Sequence, residues 1–186
     1  MRATEALKED HRVIEKVVKV LADSAEKLEL GDEVSPGILE KAVDFIRTFA
    51  DKCHHGKEET ILFPTLEAKG IPRNGGPIAI MLQEHDLGRG FVRELAEAVE
   101  RFKGGHQDAK NGIIANARGY AQLLMDHIWK EDNILFRLAE DVLTEGDHAQ
   151  LLQRFEQIEL ERIGEGKHRE YVELATQLSR EIANAS

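Results

Sequence analysis

The sequence predicts an all-α protein, an up-down antiparallel four-helix bundle with a C-terminal helical extension. Three observations lead to this fold class. Apolar residues recur at intervals of three and four along the 186-residue chain, alternating β-branched runs are absent, and the four prolines lie where helices can begin or end. Long helices joined by short connections pack as antiparallel neighbours, which predicts the up-down arrangement.

Glycine, proline and capping signals set the boundaries of four long helices. The first helix stops at Gly31, and the second begins at Ser35-Pro36, because serine caps free N–H groups and proline suits the first helical turn. The predicted helices cover about residues 3–30, 36 to Pro64 or Gly70, 77–102 and 108–143.

We expect a bundle domain over residues 1–145 and a helical extension over 146–186. The extension contains two segments with helical periodicity, about 148–163 and 167–183, separated by a break at Gly164–Gly166. These segments either pack on the bundle or mediate self-association as a homo-oligomer, and the sequence leaves both open.

Charge and hydropathy limit the classes of partner. The chain has 25 basic and 35 acidic residues, and its net charge of −10 disfavours binding to nucleic acid or to an anionic membrane. No stretch approaches ~20 uncharged apolar residues, and the N-terminal residues follow an amphipathic pattern rather than that of an export signal. The single cysteine, Cys53, cannot form an internal disulfide. A cytoplasmic protein that binds small molecules, metals or a protein partner is expected.

One internal repeat links the second and fourth predicted helices. Residues 54–63 read HHGKEETILF and residues 127–136 read HIWKEDNILF, with the shared pattern H-x-x-x-E-[ED]-x-I-L-F. An approximate two-fold relation between the two helices follows.

Histidine and glutamate occupy positions that a helical bundle normally fills with apolar side chains. Residues at offsets near 0, 3 or 4, 7, 11 and 14 face the core. In each of the four helices this series contains a histidine, and in the second and fourth helices a glutamate follows one turn later. These residues are His11, His54, His85, His127, Glu58 and Glu131.

The six side chains are interpreted as metal ligands. A lone core histidine is usually structural, but a buried glutamate needs a partner, and no lysine or arginine lies at the same helical steps. The set exceeds a tetrahedral zinc site and suits two five- or six-coordinate ions bridged by carboxylates, as in bundle di-iron sites. The large share of imidazole favours a retained diferrous state. Manganese or a mixed pair would accept similar ligands.

On these residues the chain resembles hemerythrin and, more specifically, the bacterial HHE-type hemerythrin-like proteins. The resemblance spans about residues 7–140 and rests on His11, on CHHGKEE and ILFP within 53–64, on EHD at 84–86 and on 127–136. It implies a four-helix bundle with a non-haem di-iron centre that binds or reacts with O₂. Relatives have been assigned oxygen carriage or sensing, iron sensing, nitric-oxide-related repair and peroxide handling.

The resemblance also implies a role for each candidate ligand. One iron takes His11 and His54, the other takes His85 and His127, and Glu58 and Glu131 bridge the two. Hemerythrin has a further histidine one turn before the position of His85, where this chain has Met81, and a thioether is a poor ligand for iron in such a site. Either His55 replaces the missing donor, or the position stays open to water or substrate.

Two registers fit the repeat. The pairs His55/Glu59 and His127/Asp132 imitate the spacing of hemerythrin, whereas His54/Glu58 and His127/Glu131 fit the internal repeat and are preferred. In the preferred register, Glu59 and Asp132 support the ligands or face solvent. Expectations for the neighbouring residues are an outward-facing Glu84, surface positions for His106, His148 and His168, and a Trp129 that points away from the metals and packs against the extension.

The expected function is reversible binding or sensing of O₂ by a di-iron centre, in which apolar residues limit proton access and autoxidation. The first alternative is an enzyme acting on peroxide or nitric oxide at the same centre, which an open iron position favours. The second alternative is iron sensing or storage, in which metal loss destabilises the bundle.

Overall fold

The structure is a computed structural model that describes residues 1–185, and all regular structure within this range is helical. We number the helices α1 to α6: Ala3–Leu30, 36–68, Pro77–Lys103, 109–142, Glu145–Arg162 and Lys167–Asn184. The predicted all-α fold is confirmed, and α2 continues through Pro64 to Ala68. Among these helices none combines the length and the apolarity that a membrane span requires.

Local signals in the sequence account for the helix ends. Gly31 adopts a φ of 90°, and the N–H groups of Gly31 and Asp32 bond back to the carbonyls of Leu28 and Lys27. This left-handed turn is the common glycine stop for a helix. At the start of α5, the Thr144 side chain accepts a hydrogen bond from the Asp147 N–H, and the Asp147 carboxylate accepts one from the Thr144 N–H.

Helices α2 and α4 depart from α-helical geometry beside the buried histidines. Ile46–His55 and Glu58–Leu62 in α2, and Glu131–Leu135 in α4, are π-helical. The last two stretches occupy the same five positions of the internal repeat. A π turn holds more residues than an α turn and therefore changes which side chains face the core. Ile134 lies three residues after Glu131, so the periodic series of the fourth helix predicts it in the core, but it is 43% exposed, whereas the next residue, Leu135, is fully buried.

The buried apolar side chains form two clusters along the bundle axis. The larger cluster contains Ile14 of α1 and Leu124 of α4, and the smaller contains Leu7 of α1 and Leu135 of α4. His11 lies between the two α1 residues, and His127 and Glu131 lie between the two α4 residues. A band of polar side chains therefore separates the two halves of the core.

Helices α5 and α6 pack against α1 and α2, on one side of the bundle. The α6 residues Ala175, Leu178 and Ile182 are buried in the larger cluster. The α5 residues Leu151 and Phe155 are buried in the smaller cluster. The extension therefore completes both parts of the core on that side.

Candidate metal centre

The structure brings all seven candidate ligands together in the polar band between the apolar clusters. They are His11 of α1, His54, His55 and Glu58 of α2, His85 of α3, and His127 and Glu131 of α4. Each is at most 6% exposed. Their nitrogen and oxygen atoms form two groups, and the atoms within each group lie within 4.8 Å of one another. The groups are His11, His54, Glu58, Glu131 and His55, Glu58, His85, His127, so that Glu58 belongs to both.

Two histidine pairs repeat the same geometry. The Nε2 atoms of His11 and His54 are 3.0 Å apart, and those of His85 and His127 are 3.2 Å apart. Ring centroids are separated by 4.7 Å and 4.8 Å, with an interplanar angle of 63° in both pairs. This matches the two-fold relation that the internal repeat predicts.

A carboxylate lies beside the Nδ1 atom of each of the five clustered histidines. The pairs are His11–Asp132 at 2.7 Å, His54–Asp10 at 3.4 Å, His55–Asp51 at 3.4 Å, His85–Glu59 at 2.7 Å and His127–Glu84 at 3.0 Å. Such a carboxylate accepts the Nδ1 proton and leaves the Nε2 lone pair free, which is the arrangement usual for metal-binding histidine. Two Nε2 lone pairs that face each other can both bind one cation placed between them.

The two-fold relation extends to these supporting residues. Asp10 and Glu84 immediately precede His11 and His85. Asp10 accepts a hydrogen bond from His54, which is paired with His11, and Glu84 accepts one from His127, which is paired with His85. Glu59 and Asp132 immediately follow Glu58 and Glu131, and reach across to His85 and His11. Lysines at one repeat position complete the pattern, since Lys57 binds Asp10 and Lys130 binds Glu84. Apart from His55, each half of the centre therefore contains two histidines, one glutamate ligand, two supporting carboxylates and one lysine.

His55 breaks the symmetry, because its counterpart in the repeat is the apolar Ile128. Its ring stacks on that of His85, with centroids 3.9 Å apart and planes 14° from parallel. One half of the centre therefore has three imidazoles and the other has two. Met81, where a further histidine would be expected, lies in the smaller apolar cluster.

The carboxylates of Glu58 and Glu131 show that the cluster fits a cation. Both side chains are fully buried, and no residue in the described range donates a hydrogen bond to the Glu58 oxygens. Glu131 contacts only imidazole, with Oε2 3.1 Å from His11 Nε2 and 3.3 Å from His127 Nε2. Burial and the neighbouring Glu131 charge raise the pKa of Glu58 well above its usual range. Buried carboxylates without donors are normally neutralised by a metal or a paired charge. Imidazole and carboxylate donors together suit iron and similar divalent ions.

Comparison with known families decides what kind of protein carries this centre. A family model described as the hemerythrin HHE cation-binding domain matches residues 2–139. The chain belongs to the hemerythrin HHE cation-binding family. The matched range contains all seven candidate ligands and the five supporting carboxylates, so this hemerythrin-like chain is a metal-binding protein.

Relatives of this hemerythrin-like chain include bacterial proteins with and without assigned roles. This chain is 22% identical over 180 residues to the uncharacterized protein Rv1995 of Mycobacterium tuberculosis. The alignment covers 97% of this chain and 70% of that protein. The protein Mb2018 of Mycobacterium bovis matches with the same identity and coverage. It is also 34% identical over 125 residues to the iron-sulfur cluster repair protein YtfE of Edwardsiella ictaluri, covering 63% of this chain and 53% of the relative.

A cavity of about 140 Å³ reaches the three-imidazole half of the centre. His55, His85, His127 and Tyr120 line it, together with apolar Ile46, Val92 and Leu124. Its charged lining residues are Arg47, Arg89, Arg93, Asp51 and Glu84. The cavity offers a small molecule a path to this half of the hemerythrin-like centre.

Asp10 connects the centre to the extension. Its carboxylate accepts hydrogen bonds from His54 Nδ1, from Lys57 Nζ at 2.9 Å and from His168 Nε2 at 2.9 Å. Lys57 also donates to Glu159 of α5 at 2.6 Å. Although burial alone acts in the opposite direction, the hydrogen bonds from His168 and His54 hold the pKa of Asp10 well below its usual range.

Three expectations about neighbouring residues were wrong. Glu84 does not face outward, because its carboxylate accepts the His127 hydrogen bond. His148 is not at the surface but 2% exposed, where its Nδ1 accepts a hydrogen bond from the Ala3 N–H at 3.3 Å. Trp129 is 60% exposed and does not pack on the extension, because the extension covers the α1–α2 side of the bundle.

Two other histidines lie closer to expectation, and two supporting acids were not foreseen. His106 is exposed, and the side chain of His168 is 36% exposed although it bonds to Asp10. Asp10 and Asp51 were missed as partners of ligand histidines. The sequence spacing could have indicated Asp51, because it lies four residues before His55 and side chains at this spacing meet on one face of a helix.

Proposed function

We propose that the protein holds two iron ions in this buried centre and reversibly binds or senses O₂ there. The observation that supports this most strongly is the pair of two-fold related histidine groups around Glu58 and Glu131, two fully buried carboxylates whose neighbours are imidazoles. When bound, the two irons supply a redox-active centre able to coordinate a small diatomic or peroxide ligand.

Each residue of the centre takes a defined role in this proposal. His11 and His54 would hold one iron, His55, His85 and His127 would hold the other, and Glu58 and Glu131 would supply carboxylate oxygens to the pair. The five Nδ1 carboxylates fix the imidazole rings so that every Nε2 lone pair points inward. His55 takes the place that Met81 cannot fill.

Aromatic and aliphatic side chains keep water away from the centre. The His11 ring stacks on Phe136 with centroids 5.5 Å apart, and the His85 ring stacks on Phe63 at 6.0 Å. The two phenylalanines occupy the same repeat position. A dry, apolar surround slows proton delivery, and therefore favours reversible ligand binding over oxidation of the metal. The proposal places the protein in the cytoplasm, where reducing conditions preserve ferrous iron and the buried thiol of Cys53.

A second candidate function is enzymatic chemistry on nitric oxide or peroxide. It is supported by the cavity that leads to the three-imidazole half and by the similarity to a protein named for iron-sulfur cluster repair. Iron sensing or storage is a third candidate, and coupled loss of metal and fold would mark it.

Cycles of oxygenation distinguish these functions. The protein is loaded anaerobically with ferrous iron, and optical spectra are recorded through repeated admission and removal of O₂. A new absorption band that disappears on deoxygenation, with iron retained, is the expected result. Irreversible oxidation in the first cycle would contradict O₂ carriage and favour the enzymatic candidate, which is then assayed by consumption of nitric oxide or hydrogen peroxide.

A further inference from the structure

One half of the metal centre is supported by a residue from outside the bundle. The Nδ1 atom of the ligand histidine His54 donates to Asp10 at 3.4 Å, and the same carboxylate accepts a hydrogen bond from His168 Nε2 at 2.9 Å. His168 lies on α6, 158 positions after Asp10 in the chain. Two consecutive hydrogen bonds therefore connect a proposed iron ligand to the C-terminal extension.

The equivalent carboxylate in the other half of the centre has no support from the extension. Glu84 occupies the position equivalent to Asp10, and its hydrogen-bond partners in the described range, His127 and Lys130, both belong to α4. Aspartate is one methylene shorter than glutamate, and the distance to the supported histidine is 3.4 Å for Asp10 but 3.0 Å for Glu84. The shorter carboxylate therefore depends more on its other donors for its orientation.

The side chain of His168 is held by α2 and α5 as well as by Asp10. Its ring lies against that of Phe49, with centroids 5.0 Å apart, and its Nε2 atom is 3.7 Å from Glu159 Oε1. Lys57, the other donor to Asp10, binds Glu159 at 2.6 Å. The Asp10 side chain is only 4% exposed, so removal of the His168 donor leaves its Oδ1 atom without a protein partner.

We propose that His168 is a positioning residue for the half of the centre that contains His11 and His54. It fixes the carboxylate of Asp10, which in turn fixes the His54 ring with its Nε2 atom directed at the metal. The inference rests on the proposed function, because the benefit appears only when iron binds at His54. A contact that strengthens iron binding is itself strengthened by iron, so the metal should also tighten the packing of α6.

The test compares His168→Leu and His168→Gln with the wild-type protein. Leucine removes the donor, whereas the side-chain amide of glutamine can still donate to Asp10. Ferrous iron is titrated anaerobically in competition with a chromophoric chelator, which resolves the two binding steps. We expect His168→Leu to weaken one step about 3- to 10-fold and to leave the other unchanged, and His168→Gln to restore the wild-type affinity.

Tyr171→Phe is the matched control. Tyr171 also ties α6 to α2, by a hydrogen bond to Asp44 at 2.9 Å, but this bond is not connected to a candidate ligand. Both iron-binding steps should therefore equal those of the wild type. A loss in Tyr171→Phe as large as that in His168→Leu would overturn the specific role of His168. Failure of glutamine to restore the affinity would overturn its role as a donor.

Hydrogen exchange measures the reciprocal effect of iron on the extension. Amide exchange of residues 167–184 is followed by mass spectrometry in the metal-free and iron-loaded proteins. We expect iron to slow exchange in α6 of the wild type and of Tyr171→Phe, and to have little effect in His168→Leu. Equal exchange in α6 of the wild type with and without iron would overturn the inference and leave the di-iron centre in place. A wild-type protein that takes up no iron would overturn both the inference and the proposed function.

Discussion

At the residue scale, the centre is positioned by hydrogen bonds that cross between helices. Asp132 of α4 supports His11 of α1, and Glu59 of α2 supports His85 of α3. In both pairs the carboxylate and the imidazole ring belong to different helices. The packing of the whole bundle therefore fixes the direction of the Nε2 atoms. The ligand set is therefore preorganised by the fold rather than by local sequence.

Glu58→Gln separates metal binding from folding. The amide has the shape of the carboxylate but no charge, so the ability to bridge two cations is lost while the packing is kept. We expect at least about 10-fold weaker iron binding and no loss of stability in the metal-free protein, since the substitution breaks no hydrogen bond to the Glu58 carboxyl group. Metal analysis and chemical denaturation measure the two effects.

The exposed Glu94 on α3 provides the control for this substitution. Glu94→Gln should retain the iron content of the wild type. Full iron content in Glu58→Gln would show that this carboxylate is not a ligand.

His55→Ala tests whether the unsymmetrical histidine binds metal. If His55 replaces the donor missing at Met81, its removal should lower the iron content of the three-imidazole half, from about two ions per chain towards one. His106→Ala is the control, because His106 is exposed. Unchanged iron content in His55→Ala would leave His55 with a packing role against His85.

The candidate ligands could be predicted from sequence because four histidines and two glutamates interrupt apolar helical series. Their hydrogen-bonding partners largely could not. The bond from His54 to Asp10 depends on the relative rotation of α1 and α2, which periodicity does not specify. His148 was misjudged for a similar reason, because its burial depends on how the start of α5 meets the start of α1.

At the element scale, the π-helical turns place the ligands. Glu58–Leu62 and Glu131–Leu135 begin at the two glutamates proposed as bridges. After the turn in α4, Leu135 is buried and Ile134 is 43% exposed, whereas the counterparts Leu62 and Ile61 in α2 are both buried. The difference follows from α5, which packs over the π-helical part of α2 and not over α4. Sequence periodicity does not specify this cover, and for this reason it gave the correct helix but the wrong residue at 134.

Packing between α3 and α4 depends on a small residue at position 119. A Cβ atom at Gly119 would lie 2.8 Å from Phe91 Cζ, so the ring must move. We expect Gly119→Ala to lower the free energy of unfolding by about 1–3 kcal/mol. Gly90, one residue before Phe91, has nothing within 4 Å of the same position, and Gly90→Ala should stabilise the protein by about 0.4–1 kcal/mol.

Both variants are compared with the wild type by urea denaturation. The opposite signs of the two effects make the comparison specific to the contact with Phe91. A Gly119→Ala protein as stable as Gly90→Ala would mean that the aromatic ring moves aside freely.

At the scale of the whole molecule, the extension makes the two halves of the centre unequal. Arg162 of α5 contacts Gly56, and its Nη1 atom donates to the Lys52 carbonyl. The counterpart of Gly56 in the repeat is Trp129, which is exposed.

We propose residues 1–145 as the bundle domain and 146–186 as the extension packed on it. The side it covers could not be predicted, because the amphipathic faces of α5 and α6 specify no partner helix.

The internal repeat supplies a matched pair that tests this inequality. Lys57 and Lys130 bind equivalent carboxylates, but the Lys57 side chain is 5% exposed beneath α5 and the Lys130 side chain is 28% exposed. Lys57→Met removes one of the three hydrogen-bond donors of the buried Asp10 and should lower the free energy of unfolding by about 1.5–3 kcal/mol. Lys130→Met should lower it by less than about 1 kcal/mol.

Thermal and chemical unfolding of the two lysine variants provide the comparison. Equal losses of stability would contradict the view that the extension buries only one half of the centre. A larger loss for Lys130→Met would reverse it.

Counting iron in the intact protein tests most directly whether one buried cluster holds two ions. The chain is stripped of metal, loaded anaerobically with ferrous iron, freed of excess metal by gel filtration and analysed by mass spectrometry. We expect about two irons per chain, with a higher unfolding temperature than the metal-free protein, because the ions bind the folded arrangement of buried histidines and carboxylates and not the unfolded chain. A protein that retains no iron, or only one per chain with both glutamates intact, would contradict the di-iron assignment.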